Sequence, residues 1–296
     1  SRAGIWIHAP RVDLHAELNS LPSDHPIASV IHNFLFLSRV SPSPLPPHPA
    51  SSPLTLRSPE DHRDFAARAG KFPNLNINIT STIPVASGLG SGAAVTVALL
   101  RALSHHLNHP MTDEEVNAFA FEIEKLHHGT PSGIDNTVVT YAKPVYFVKG
   151  QPIEIFRAAR PFTIVIGDTG ILAPTKESVG DVRKLWETDK ARWEKVFDEV
   201  GKLAEEARAH IERGKTKELG ELMNRNHALL QEMTVSSPEL DRLVEAARTA
   251  GALGAKLSGG GRGGNMIALV EPDLAEAVSR SLKEAGAKGA IVTAIE

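Results

Sequence analysis

Residues 75–103 read as a strand, a glycine loop and a helix in that order, and this order constrains the fold more than any other feature of the chain. Leu75-Asn76-Ile77-Asn78-Ile79-Thr80 alternates apolar and polar residues, the pattern of a half-buried strand. Pro84-Val85-Ala86-Ser87-Gly88-Leu89-Gly90-Ser91-Gly92-Ala93-Ala94 follows, with three glycines and two serines. Residues 93–103 then run without a breaker and are rich in Ala, Val and Leu, which predicts a buried helix. Unpaired N–H groups and the positive end of a helix dipole face such a loop, and glycine lets an anion approach the backbone. The loop is a candidate nucleotide phosphate cradle. A tight turn between packed elements would produce the same cluster.

A chain of 296 residues suits two domains, and a boundary is expected just before Phe162, dividing it into 1–158 and 159–296. The net charge of −3 gives no sign of a nucleic-acid surface. No cysteine is present, which excludes disulfides, thiolate metal sites and cysteine nucleophiles and fits a reducing, cytoplasmic setting. No apolar run is long enough to span a bilayer, so no membrane partner is expected. Residues 25–39 predict a helix, 41–53 a proline-rich surface loop, and 61–69 a further short helix. Thr112-Asp113-Glu114-Glu115 fits a capping box. Residues 137–148 predict a hairpin about Lys143-Pro144, and 162–166 a β-branched strand. One long helix is expected over 175–214, with Trp186 and Trp193 as core, and another over 216–233. Ser237-Pro238 predicts an N-cap, Gly251 a helix end, and residues 266–270, 273–285 and 290–294 a strand, a helix and a strand. The mix predicts an α+β fold.

Three further segments can carry chemistry. Glu124-Lys125-Leu126-His127-His128-Gly129-Thr130-Pro131-Ser132-Gly133-Ile134-Asp135-Asn136 presents two carboxylates at a helix end and a loop. A carboxylate suits Mg²⁺, a hard cation that takes oxygen ligands, and a second suits a substrate hydroxyl. Glu124 also fits a solvated helix-end charge, and Asp135 a cap or turn former. Lys256-Leu257-Ser258-Gly259-Gly260-Gly261-Arg262-Gly263-Gly264 contains G-x-G-x-x-G, but a strand follows it rather than a helix, so the dinucleotide-binding reading fails on context. Gly167-Asp168-Thr169-Gly170 follows a strand; Thr169 could reach a ligand from there, although a turn explains the segment equally. His105, His106 and His109 lack a partner at ligand spacing and read as a solvated helix end.

Together these segments resemble the GHMP kinase superfamily. Residues 84–94 are similar to its phosphate loop, P-x-x-x-G-L-G-S-S-A-A, and 256–264 to its C-terminal glycine loop. The run EKLHHGTPSGIDN at 124–136 and the run MNRNHALL at 223–230 resemble the mevalonate kinase branch. The resemblance runs from about Ile5 to the end. It implies a ribosomal-S5-like N-terminal domain and a ferredoxin-like C-terminal one, with ATP and Mg²⁺ in the cleft between them. It implies transfer of the ATP γ-phosphate to the 5-hydroxyl of mevalonate, a step toward isoprenoid precursors. By the same resemblance Ser87, Gly88, Leu89, Gly90, Ser91, Gly92 and Ala93 would hold ATP. Asp135 would be catalytic, Glu124 and Ser91 would hold Mg²⁺, and Gly259, Gly260, Gly261, Ser132 and Thr169 would border substrate or phosphate. A homodimer is left open.

The chain departs from the pattern in places. Gly92 stands where the family has a second serine, its usual Mg²⁺ ligand. Arg262 replaces a small residue and could contact phosphate, and Asn265 stands where cysteine is common. The P-G-K strand and the G-E-H segment are not found, which predicts a trimmed or incomplete N-terminus. The alternatives are a phosphomevalonate, homoserine or sugar kinase of the same superfamily, or a degenerate nucleotide-binding member without catalysis.

Overall fold

The computed structural model describes residues 4–22, 24–40, 74–83, 88–128, 131–172 and 175–296. The readings at 41–53 and 61–69, and Ser87 of the loop, lie outside the described residues. The chain divides into two compact units, one of Ser1–Val85 with Gly90–Ile153, the other of Ala86–Leu89 with Glu154–Glu296.

The first unit holds a three-stranded sheet of β1 (Ile5–Ala9), β2 (Leu14–Glu17) and β3 (Leu75–Asn78), in the order β2-β1-β3. β1 runs antiparallel to β2 and parallel to β3, with Ile7 opposite both Ala16 and Ile77. Helices α1 (Pro26–Val40), α2 (Ser91–His106), α3 (Asp113–His128) and α4 (Ile134–Tyr141) supply the rest of the layer. Ile5 and Ile7 from the sheet meet Ile31, Phe34, Leu100, Phe119 and Ile123 from the helices in one buried cluster. Each such side chain contributes about 1.5–3 kcal/mol over the exposed state. The Thr112–Glu115 capping box forms as expected: the Thr112 N–H donates to Glu115 Oε2 (2.7 Å) and the Glu115 N–H to Thr112 Oγ1 (3.3 Å).

The hairpin expected over 137–148 is not present; α4 occupies residues 134–141 instead. Gly133 caps this helix at φ +82, a conformation open to glycine. The Thr137 hydroxyl donates back to the Gly133 carbonyl (2.7 Å), and Asn136 Nδ2 donates to Asn117 Oδ1 of α3 (2.6 Å). Buried hydrogen bonds override the β-branched run Thr137-Val138-Val139-Thr140.

The second unit is built on an antiparallel sheet of β6 (Phe162–Asp168), β7 (Gly254–Ser258), β8 (Asn265–Val270) and β9 (Gly289–Ile295), ordered β7-β8-β6-β9. Two short strands, β4 (Val145–Tyr146) and β5 (Glu154–Ile155), precede it in the chain. Between β6 and β7 come α5 (Thr175–Thr188), α6 (Lys190–Glu212), α7 (Thr216–Glu232) and α8 (Pro238–Thr249); α9 (Ala275–Glu284) joins β8 to β9. This β-α-β-β-α-β order with antiparallel strands is the ferredoxin-like arrangement. Val165, Met266 and Ala268 face a core with Leu240, Val244, Val278 and Leu282. Ile164, Ile267 and Leu269 face Ile211, Leu219 and Met223. The single helix expected over 175–214 is two, because Asp189 caps a new helix by accepting the Arg192 N–H at 3.1 Å. Trp193 is buried and Trp186 packs at the edge of the same core.

Candidate functional site

In the first unit the glycine loop ends where α2 begins. Gly90 is the N-cap, in the left-handed region at φ +66, and brings no side chain to the cap. The Ala94 N–H already bonds the Gly90 carbonyl (2.9 Å), so the N–H groups of Ser91, Gly92 and Ala93 are the first-turn donors without intrahelical partners. Gly92 is exposed and Ser91 half-buried, so this end of the helix is reachable.

Both predicted carboxylates come to this same turn. A Cβ built on Gly90 would lie 3.6 Å from Asp135 Cγ and 3.9 Å from Asp135 Oδ1. One built on Gly92 would lie 3.7 Å from Glu124 Oε1. Asp135 is in the first turn of α4, where the helix dipole stabilises a negative charge. Glu124 is half-buried on α3. Three helices from separate parts of the sequence thus place two carboxylates against two glycines of one loop. Ser132 is exposed just before α4, and its hydroxyl accepts the Ile134 N–H (3.2 Å).

Beside the same helix start opens a cavity of about 320 Å³ lined by Arg11, His25, Ile83, Ser91 and Gly92 with apolar Ile27, Val30 and Val95. Burial lowers the pKa of His25, so the ring favours the neutral form. Sequence reasoning passed over Arg11 and His25. Nothing in their local pattern marks them: Arg11 lies in the turn after β1 and His25 directly precedes α1, both far in sequence from the other lining residues at 83–95.

The second unit holds the other glycine loop. Its conformation is fixed by close backbone contact: a Cβ on Gly261 would fall 1.9 Å from the Val235 carbonyl oxygen, and one on Gly263 2.6 Å from that of Ile171. The Arg262 N–H donates to the Val235 carbonyl (2.8 Å) and the Gly264 N–H to that of Ile171 (2.8 Å). The Thr169 hydroxyl donates to the Gly264 carbonyl (2.8 Å) and accepts the Ile171 N–H (3.2 Å), so it is spent on bracing the loop. Asp168 Oδ1 accepts the Gly170 N–H (2.8 Å), the turn chemistry expected of this segment. Arg262 Nη1 pairs with Asp181 Oδ2 at 2.6 Å, and Lys184 with the other oxygen at 2.8 Å. Lys184 first and Arg262 second hold the Asp181 carboxyl down at about 2. Among the described residues, Gly259 has no atom within 4 Å of where its Cβ would be.

The GHMP kinases N terminal domain matches residues 62–143, and the GHMP kinases C terminal domain matches 198–288. A mevalonate kinase of Pyrococcus horikoshii is 42% identical over 223 residues, 73% of this chain and 65% of that protein. One of Aeropyrum pernix is 33% identical over 227 residues, 76% of this chain and 70% of that protein. The chain belongs to the GHMP kinase superfamily. Its fold is the two-domain GHMP kinase fold. The crystal structure of L. major mevalonate kinase in complex with R-mevalonate matches with a TM-score of 0.74 at 27% identity, covering 100% of this chain and 83% of that one. The chain spans about 65% of the length of the Pyrococcus relative. ATP is the phosphoryl donor that this family implies. Among the described residues, no helix is long and apolar enough to cross a membrane.

Proposed function

We propose that this GHMP kinase phosphorylates mevalonate, taking the γ-phosphate of ATP and releasing ADP and 5-phosphomevalonate. The observation that carries the reading is the placement of Asp135 and Glu124 against Gly90 and Gly92 at the start of α2. Similarity to mevalonate kinases at 42% and 33% identity supports the choice of acceptor.

In this reading Gly88 to Ala93, with Ser87 before them, bind the triphosphate through backbone N–H groups and the α2 dipole. Asp135 accepts the proton of the acceptor hydroxyl, or orients that hydroxyl, as its oxygen attacks the γ-phosphorus and ADP leaves. The donors near the loop, the Glu124 carboxylate and the Ser91 hydroxyl, are hard oxygens and fit Mg²⁺, which takes one or two carboxylates with substrate phosphates and water. Bound there, Mg²⁺ would neutralise charge on the transferring phosphoryl group. Gly92 leaves the loop one hydroxyl short, and a water or Ser91 would take that place in holding the metal. Ser132, Thr169, Gly259, Gly260 and Gly261 border substrate or phosphate; Thr169 does so by shaping the loop, since its hydroxyl is occupied.

The test is ADP release by the full chain with ATP, Mg²⁺ and a panel of acceptors. Turnover is expected with mevalonate. Turnover with phosphomevalonate, homoserine or a sugar and none with mevalonate would overturn the assignment.

A further inference from the structure

The sheet order leaves β7 at an edge, and its outward N–H groups need partners. Helix α7 covers that edge. It can come close because glycine meets glycine: a Cβ on Gly254 would fall 2.0 Å from the Gly220 carbonyl oxygen. At that separation two α7 side chains, three residues apart, reach the strand backbone. Asn224 Oδ1 accepts the Ala255 N–H (3.0 Å), and His227 Nδ1 accepts the Leu257 N–H (3.3 Å).

His227 does more than cap an edge. It is 2% exposed. Since Nδ1 accepts, the proton of the neutral ring resides on Nε2. Nε2 lies 3.2 Å from Asp241 Oδ1 on α8, within ion-pair distance but outside hydrogen-bond alignment. Asp241 also receives the Ser236 hydroxyl. Ser236 follows Val235, whose carbonyl takes the Arg262 N–H and presses against Gly261. Leu257, at the other end of this chain of contacts, lies two residues before Gly259. One imidazole thus links the strand entering the glycine loop to the turn on which that loop rests.

We propose that His227 is a positioning residue, setting the register of the 259–264 loop through Leu257 on one side and through Asp241, Ser236 and Val235 on the other. The proposal rests on the kinase reading for its catalytic consequence, but the loop geometry can be tested without it. The ring must be neutral to act. A proton on Nδ1 would confront the Leu257 N–H with a second donor. The groups facing the ring are Asp241, which favours its protonation, and Arg248 and Lys256, which oppose it along with burial; the net effect lowers its pKa. Acid should therefore loosen the loop below the ordinary histidine range.

The test compares His227→Leu, His227→Asn and Ser236→Ala in the full chain. Asparagine keeps an acceptor near the Nδ1 position and cannot be protonated in this range. Amide hydrogen exchange is read over residues 257–264, with β6 as internal control. Exchange in the loop is expected to rise at least tenfold in His227→Leu, with β6 unchanged, and much less in His227→Asn. Ser236→Ala, the mildest change, is expected to raise loop exchange a few-fold. In turnover, His227→Leu should lose about tenfold or more in kcat, a usual consequence of slight misplacement. The acidic limb of the kcat profile that His227 causes should vanish in His227→Asn. Loop exchange equal to wild type in both His227→Leu and Ser236→Ala would overturn the proposal. Absence of mevalonate turnover in the unmodified chain would instead count against the proposed function and leave the exchange result standing.

Discussion

Gly90 and Gly92 are two residues apart in one loop, and replacing each with alanine is expected to shift stability in opposite directions. Gly90 has φ +66, and an alanine there would have room, since the nearest Asp135 atoms would be 3.6 Å from its Cβ. The cost is therefore in the backbone, about 1–2 kcal/mol for entering the left-handed region. The cap also worsens, since alanine is a poor N-cap where glycine is an acceptable one. Gly92 is helical without a positive φ, and among the described residues its Cβ would meet only Glu124 Oε1, at 3.7 Å. Alanine there removes unfolded-state freedom and adds helix propensity, a gain of about 0.4–1 kcal/mol. The two variants should then differ by roughly 2 kcal/mol, or about 3 °C in Tm for a chain of 296 residues. Denaturation followed by circular dichroism, in the same buffer and without ligand, measures the difference. If Gly92→Ala proved as destabilising as Gly90→Ala, α2 would not begin at Ser91 and the geometry argued for the loop would fail.

Asp135→Asn should cut turnover by about 10²–10⁴, the usual range for a lost proton acceptor. ATP affinity, measured by calorimetry, should stay within a few-fold; unchanged turnover would remove Asp135 from its role. Lys256 is held down at about 8 by burial. A lysine whose pKa falls on folding is a penalty while it is charged in both states, and the penalty is relieved as pH rises from about 8 toward its ordinary 10.5. Lys256→Met should therefore be more stable than the parent below pH 8, by about 1–3 kcal/mol, and its advantage should shrink toward pH 10. A pH-independent difference in denaturation midpoint would argue that Lys256 is solvated.

Local signals in the sequence reported local structure well. Thr112 with Glu115, and Ser237 with Pro238, announced their helix starts because the capping groups are neighbours in the chain. The run Thr137-Val138-Val139-Thr140 misled because what makes it helical lies elsewhere, in Gly133 at positive φ and in Asn117 on the preceding helix. Asp189 was a readable cap inside a helical stretch, yet an apolar stripe on both sides of it concealed the break. The carboxylates at 124 and 135 were legible as candidates from residue type. Their approach to Gly90 and Gly92 was not, since it depends on how α3 and α4 pack against α2. Nor could Asn224 and His227 be read as the partners of an edge strand: that role exists only once β7 ends the sheet order.

Two carboxylates beside a helix start pose an electrostatic question that decides between a packing turn and a phosphate site. The helix end attracts anions, but by only about 0.3–1 kcal/mol per charge at an exposed position. A carboxylate about 4 Å from a phosphate oxygen opposes it by roughly 4 kcal/mol at the effective dielectric of a protein surface. A bare triphosphate would therefore be disfavoured at this loop, and a bound divalent cation would reverse the balance. Glu124 touches the Gly92 position and is the group to probe. Without Mg²⁺, Glu124→Gln should tighten ATP binding, since a repulsive charge is gone. With saturating Mg²⁺ the same change should weaken ATP binding and raise the Mg²⁺ concentration needed for half-maximal turnover. Calorimetric titration of ATP into both proteins, with and without Mg²⁺, reads the sign directly. A carboxylate that only closed a turn would shift affinity the same way under both conditions, and that result would refute a metal-holding role for Glu124.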